Sequence, residues 1–195
     1  GKSIVTASGD GTAKIWDVAS GNMLHDLTGH TDYVHSAQFS PDGKSIVTAS
    51  RDNTAKIWDV ASGNMLHDLT GHTDRVYTAH FSPDGKSIVT VSLDYTIKIW
   101  EVASGNMLHD LSGHTDDVQS AQFSPDGKSI VTASEDNTAK IWEVASGKML
   151  RVLRGQTSIV WTAQFSPDGK SIVTASHDNT AKIWEVASGN MLRSL

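Results

Sequence analysis

FSPDGKSIVTASRDNTAKIW, residues Phe39 to Trp58, decides the fold. The same words return almost letter for letter from Phe81, Phe123 and Phe165, and the chain opens inside a further copy at Gly1. Equivalent glycines at Gly1, Gly43, Gly85, Gly127 and Gly169 set a step of 42 residues. A period in that range marks an array of small units, each unable to bury its own apolar surface alone.

Working outward from this stretch defines one unit, Gly29 to Thr70. Gly29-His30-Thr31-Asp32 is polar and turn-like, and Tyr33 to Ser40 has strand character. Ser40-Pro41-Asp42-Gly43 is a turn, because Pro presets φ and Gly accepts a positive one. Ser45 to Ser50 and Thr54 to Val60 are β-branched strands around the short turn Arg51-Asp52-Asn53. Ala61-Ser62-Gly63-Asn64 turns again into Met65 to Leu69. Four short strands with tight turns make an antiparallel meander. Its second and third strands are apolar on both faces, so each sheet needs a neighbour on either side. Radial stacking of like sheets supplies them, which predicts an all-β propeller.

The Gly-His, Ser-Pro-Asp-Gly, Ser-x-Asp-x-Thr and Trp-Asp signals, at this spacing and over the whole chain, resemble WD40 repeats. Departures are Glu101, Glu143 and Glu185 in place of the Asp seen at Asp59, and Gln156 in place of His30. The expected architecture is four complete four-stranded blades (29–70, 71–112, 113–154 and 155–195) plus a three-stranded partial blade (1–28). The resemblance implies a ring most often of seven blades. The chain is therefore expected to be an excerpt of a larger propeller or to form a homo-oligomer that completes a ring.

The resemblance also implies a hydrogen-bonded tetrad in each blade. The matching positions are His30, Thr48, Asp52 and Trp58; His72, Thr90, Asp94 and Trp100; His114, Thr132, Asp136 and Trp142; and Gln156, Thr174, Asp178 and Trp184. The opening copy has Thr6, Asp10 and Trp16 without the His. A His-Thr-Asp set superficially suits hydrolysis, but its repetition in every unit is what a structural element needs, not a single catalytic centre. Gln156 lacks an imidazole, so the last blade is expected to be held less firmly at that corner.

The differences between copies carry the functional signal. Positions 33, 75, 117 and 159 read Tyr33, Arg75, Asp117 and Ile159. Positions 35, 77, 119 and 161 read His35, Tyr77, Gln119 and Trp161. The position before the tetrad Asp reads Gly9, Arg51, Leu93, Glu135 and His177. These columns swing through charge and size, whereas strand four and the Ala-Ser-Gly-Asn turn barely vary. In the WD40 family they match partner-contacting positions of the top face. Tyr33, Arg51, Arg75, Tyr77 and Trp161 are of the types enriched in interface hot spots. Val91 and Ile97 replace alanines and are expected to face each other across one hairpin, a packing change only.

Composition excludes several other classes. A net charge of −6, spread evenly, disfavours nucleic acid as partner. No apolar run approaches ~18 residues and no signal peptide is visible, so no membrane partner and a cytoplasmic location are expected. With no Cys, thiolate metal sites are excluded. His25, His67 and His109 sit at one place in successive repeats rather than together, so no metal or other cofactor is expected. His80 replaces the Gln found at Gln38, Gln122 and Gln164, beside the expected central channel. The expected function is a non-enzymatic scaffold that binds a protein or peptide on its diversified face. The alternative is a self-assembly module.

Overall fold

A computed structural model describes residues 1–195 as nineteen strands in five antiparallel sheets. There is no helix long and apolar enough to cross a membrane. Sheet one has three strands, Ser3–Ala7, Thr12–Asp17 and Met23–Thr28. Sheet two has four, Val34–Phe39, Ser45–Ser50, Ala55–Asp59 and Met65–Leu69. Sheets three (Val76–Leu111), four (Val118–Arg154) and five (Val160–Ser194) repeat that order. The meander arises because every connection is too short for anything but an antiparallel return.

The core lies between sheets, not within one. Val47, Ala49, Ala55, Ile57 and Leu69 on one face of sheet two meet Val76, Ala79, Phe81, Ile88 and Trp100 of sheet three. The same joint recurs between sheets three and four and between four and five. A smaller version joins sheets one and two, with Ile15 and Leu27 against Ile46 and Trp58. Val91 and Ile97 do face each other across their hairpin. Both are fully buried in the joint to sheet four, where they fill the space with larger side chains.

The outer edges are fastened by a second device. His25, His67 and His109 on the outermost strands lie beneath Gly63, Gly105 and Gly147 of the next sheet's turn. A Cβ at these glycines would meet the rings at 2.8–2.9 Å. These turns also hold φ near +70°, so glycine is required there for both reasons. Arg151 takes the histidine's place at the last joint, donating to the carbonyl of Ala187 at 3.1 Å. The constancy of these histidines on strand four therefore has a packing cause, whereas Met65 and Leu66 beside His67 are about half exposed.

The innermost strands stand side by side around a cavity of about 550 Å³ lined by Gln38, His80, Gln122 and Gln164. The Gln38 carboxamide oxygen accepts from the Phe81 N–H at 3.2 Å, and Gln122 does the same for Phe165 at 2.8 Å. His80 makes no equivalent bond to the next strand. Burial pushes its imidazole below the ordinary range.

Candidate interaction face

Each full sheet is closed at one corner by a polar chain. In sheet two the Trp58 indole N–H donates to Thr48 Oγ1 at 2.9 Å. Thr48 and His30 Nε2 are 2.7 Å apart, and His30 Nδ1 lies 2.8 Å from Asp52 Oδ2. A neutral His30 completes the chain, accepting from the Thr48 hydroxyl and donating from Nδ1 to the carboxylate. Burial lowers the pKa of His30, although Asp52 opposes it. Burial pushes Asp52 upward, but Thr54, the Thr31 N–H and His30 outweigh it and bring the carboxyl down to about 2. His72, Thr90, Asp94 and Trp100 repeat this geometry, as do His114, Thr132, Asp136 and Trp142.

Sheets four and five depart from it, sheet four through its outermost strand and sheet five through Gln156. Asp26, Asp68 and Asp110 stand opposite Lys14, Lys56 and Lys98 and pair with them. Opposite Lys140 stands Val152. Its ammonium turns into the tetrad instead, 2.8 Å from Asp136. In sheet five the Gln156 Nε2 donates to Thr174 at 2.9 Å and its Oε1 accepts from Thr180 at 3.0 Å. Gln156 makes no bond to Asp178, which is held by Thr180 and the Thr157 N–H.

The diversified columns lie at the opposite end of the hairpins from the Ser-Pro-Asp-Gly turns, and two devices aim them. First, the ladder skips a residue in every innermost pair: Val34 faces Ser50 but Ser36 faces Ala49. His35 is the extra residue of a β-bulge, and Tyr77, Gln119 and Trp161 sit at the same place. A bulge frees its side chain from strict alternation and re-aims it. Second, the Arg51 N–H donates to the Tyr33 carbonyl at 2.9 Å, and Leu93–Arg75, Glu135–Asp117 and His177–Ile159 repeat the bond. All three columns of one sheet are thereby brought together.

They touch each other in ways the sequence did not show. The Arg51 guanidinium lies 5.4 Å from the Tyr33 ring centre. His35 and Tyr77 meet across two sheets at 5.3 Å. Gln119 donates to Glu135 at 2.7 Å, and Trp161 meets His177 edge-on at 6.4 Å. Gly9 lies beside Tyr33, whose ring would be in ordinary van der Waals contact with an added Cβ at 3.7 Å. Tyr33 and Trp161 remain about half exposed, at 50% and 46%.

Charge on this face is unbalanced locally. Burial, then the carboxylates of Asp116 and Asp74, hold Asp117 above the usual range. Burial, then Asp117 and Asp116, do the same to Glu135. On the neighbouring sheets, burial and then Arg51 and Arg75 press His35 down.

One residue escaped the comparison of copies. Position 11, 53, 95, 137 or 179 reads Gly11, Asn53, Tyr95, Asn137 and Asn179, and all five are left-handed. Asn and Gly tolerate that conformation, whereas a bulky side chain is strained in it. Tyr95 holds φ at 69° and is 44% exposed. An aromatic residue in an Asn column was the signal.

Comparisons with known proteins agree with this geometry. The model described as "WD domain, G-beta repeat" matches residues 1–17, 21–59, 63–101, 105–143 and 147–185, most of the chain. Each later match begins near strand four of one sheet and ends with strand three of the next, so the sequence unit is staggered against the sheet. Dynein assembly factor with WD repeat domains 1 of Xenopus laevis is 50% identical over 40 residues, 20% of this chain and 10% of that protein. F-box-like/WD repeat-containing protein TBL1X of Mus musculus is 48% identical over 40 residues, 20% of this chain and 8% of that protein. Nuclear distribution protein PAC1 of Mycosarcoma maydis is 46% identical over 43 residues, 22% and 10% respectively. These matches span a tenth or less of the relatives' length. With its family model covering five successive units and its sheets built as described, the chain belongs to the WD40-repeat family.

Proposed function

We propose that the protein is a non-enzymatic scaffold that captures a protein or peptide on the face built by Tyr33, His35, Arg51, Arg75, Tyr77, Leu93, Asp117, Gln119, Glu135, Ile159, Trp161 and His177, with Tyr95 beside them. One observation carries the reading. The columns that vary are the ones the bulge and the turn bring together, with aromatic and charged groups left open to solvent. The similar protein named as a dynein assembly factor favours an interaction role. The tetrads are proposed as frame, since nearly the same bonds recur in every full sheet.

A random peptide display library selected on the wild type supplies ligands for the test. Setting the three variable columns to Ser should abolish their binding with little change in unfolding temperature. Undiminished binding to that variant would reject the face.

A second reading, self-assembly, has its own observation. Gly63, Gly105, Gly147 and Gly189 are each covered by the preceding sheet, whereas Gly21 has nothing within 4 Å. Ile4 on the first sheet and Val173 on the last are 53% and 41% exposed, while their counterparts Ile46, Ile88, Val47 and Val89 are fully buried. The two outer faces thus offer complementary parts of one joint, which a neighbouring repeat or a second copy of the chain would cover. Mass measured in solution tests this: a monomer at high concentration removes the reading, and a dimer lost in Val173→Lys supports it.

A further inference from the structure

The face divides into zones by sheet. Sheets two and three present Arg51, Arg75 and His35 among the rings of Tyr33 and Tyr77, with the carboxylates of Asp32 and Asp74 at the same end. Sheet four presents Asp116, Asp117 and Glu135, with Asp74 close enough to Asp117 to act on it. Sheet five presents Ile159 and the half-exposed Trp161.

The first two zones do not neutralise one another. None of the chain's ion pairs includes Arg51, Arg75, Asp116, Asp117 or Glu135. Arg51 is instead seated on the Tyr33 ring, a contact that leaves its N–H fork available to a carboxylate. In the acidic cluster, Asp117 and Glu135 feel other carboxylates and no cation, and a basic partner relieves that repulsion as it binds. Resting on the interaction-face reading above, we propose that the partner is an extended polypeptide segment whose basic residues lie between acidic residues on one side and an apolar residue on the other. The acids meet Arg51 and Arg75, the basic residues meet Asp117 and Glu135, and the apolar group meets Trp161 and Ile159.

Spacing follows from the stack. Facing sheets pack ~10 Å apart and an extended chain advances ~3.3 Å per residue. Neighbouring zones therefore ask for side chains about three to four residues apart. A nucleic-acid strand fits poorly, because its phosphates would oppose the acidic zone.

The test uses three labelled ten-residue peptides of one composition: two Glu, two Lys and a Leu-Phe pair, separated by Gly-Ser spacers. They place the Lys pair, the Glu pair or the apolar pair in the centre, so reversal of chain direction cannot confuse them. Fluorescence anisotropy should show the Lys-centred peptide binding about tenfold tighter than the others and weakening with salt. An Arg51→Glu, Arg75→Glu double variant should lose that peptide and gain one in which Lys replaces the Glu pair. Equal affinities within about twofold, or no binding of any arrangement at 1 mM, would overturn the order. The library-selected ligands separate the two failures. If they still depend on the variable columns, the interaction face stands and only the acid–base–apolar order falls.

Discussion

Asp136 and Asp117 belong to the same repeat, and their carboxyl groups are pushed in opposite directions. Burial opposes the charge of both. At Asp136 the donors His114, Lys140 and Thr138 outweigh burial and hold the group well below the usual range. At Asp117 no donor side chain arrives, and Asp116 and Asp74 add to the effect of burial. The first carboxylate is already answered from within the sheet. The second is not, and that contrast separates charges that hold the fold from charges on the proposed face. Repetition teaches the same lesson: the tetrad Asp is present in every copy, and position 117 is different in each full copy.

The largest effect should come from breaking the answered group. Asp136→Ala leaves Lys140 buried beside His114 without its carboxylate, which costs ~3–5 kcal/mol by comparison with other broken buried pairs. Thermal unfolding should fall by roughly 10 °C or more for a chain of this size, while Asp117→Ala should change it little. Equal losses would dissolve the contrast. Acid should find the same groups. Asp52 is at about 2 in the fold against an ordinary value near 3.8, so its contribution is complete above about pH 4 and is lost as pH falls through 2. His30 and His114 are held below their usual range chiefly by burial. The unfolded chain therefore takes up their protons first, and stability should begin to decline below about pH 6.5.

Sheet five sharpens the comparison from the other side, because there the answer is incomplete. Gln156→His restores a donor to Asp178 and should stabilise by ~1 kcal/mol. Hydrogen exchange at the Trp184 indole should slow, and unchanged or faster exchange would show that Gln156 is already sufficient. Tyr95→Asn removes a bulky residue from a left-handed turn and should gain ~1 kcal/mol, read in the unfolding midpoint. The same change should weaken capture of the display-selected peptides. A gain in stability with no loss of binding would leave Tyr95 outside the face.

The strands and tetrads were legible because the 42-residue step shows each of them several times over. Val91 and Ile97 were legible as a pair for a geometric reason, being equidistant from their turn. What stayed hidden needed register. The bulge at His35 is one unpaired residue in a strand whose pattern is otherwise unbroken. The swing of Lys140 into its tetrad follows from Val152, but only once the two are known to face each other. His25 beneath Gly63 lies 38 residues away in another sheet, a contact that no local pattern announces. Even the variable columns, taken singly, concealed that Arg51 sits on Tyr33 and that Gln119 holds Glu135.

The smallest predicted effect bears most directly on the crowded carboxylates. Asp117→Asn with Glu135→Gln keeps shape and removes the crowding, so the double variant should be more stable by ~0.5 kcal/mol at neutral pH, a modest gain because these groups are partly solvated. Its pH dependence fixes the cause. Both groups have raised pKa values in the fold, so their mutual repulsion is present above those values and disappears as pH falls toward the ordinary carboxylate range. The gain over the wild type should shrink over that interval and vanish below about pH 4. Unfolding followed across pH 7 to 4 reads it directly. A gain that persists at pH 4 would come from packing, and a loss at neutral pH would mean that the Gln119 bond to Glu135 outweighs the crowding. The binding counterpart runs the other way: the same variant should lose affinity for the Lys-centred peptide, since the repulsion that destabilises the free protein is what a basic partner relieves.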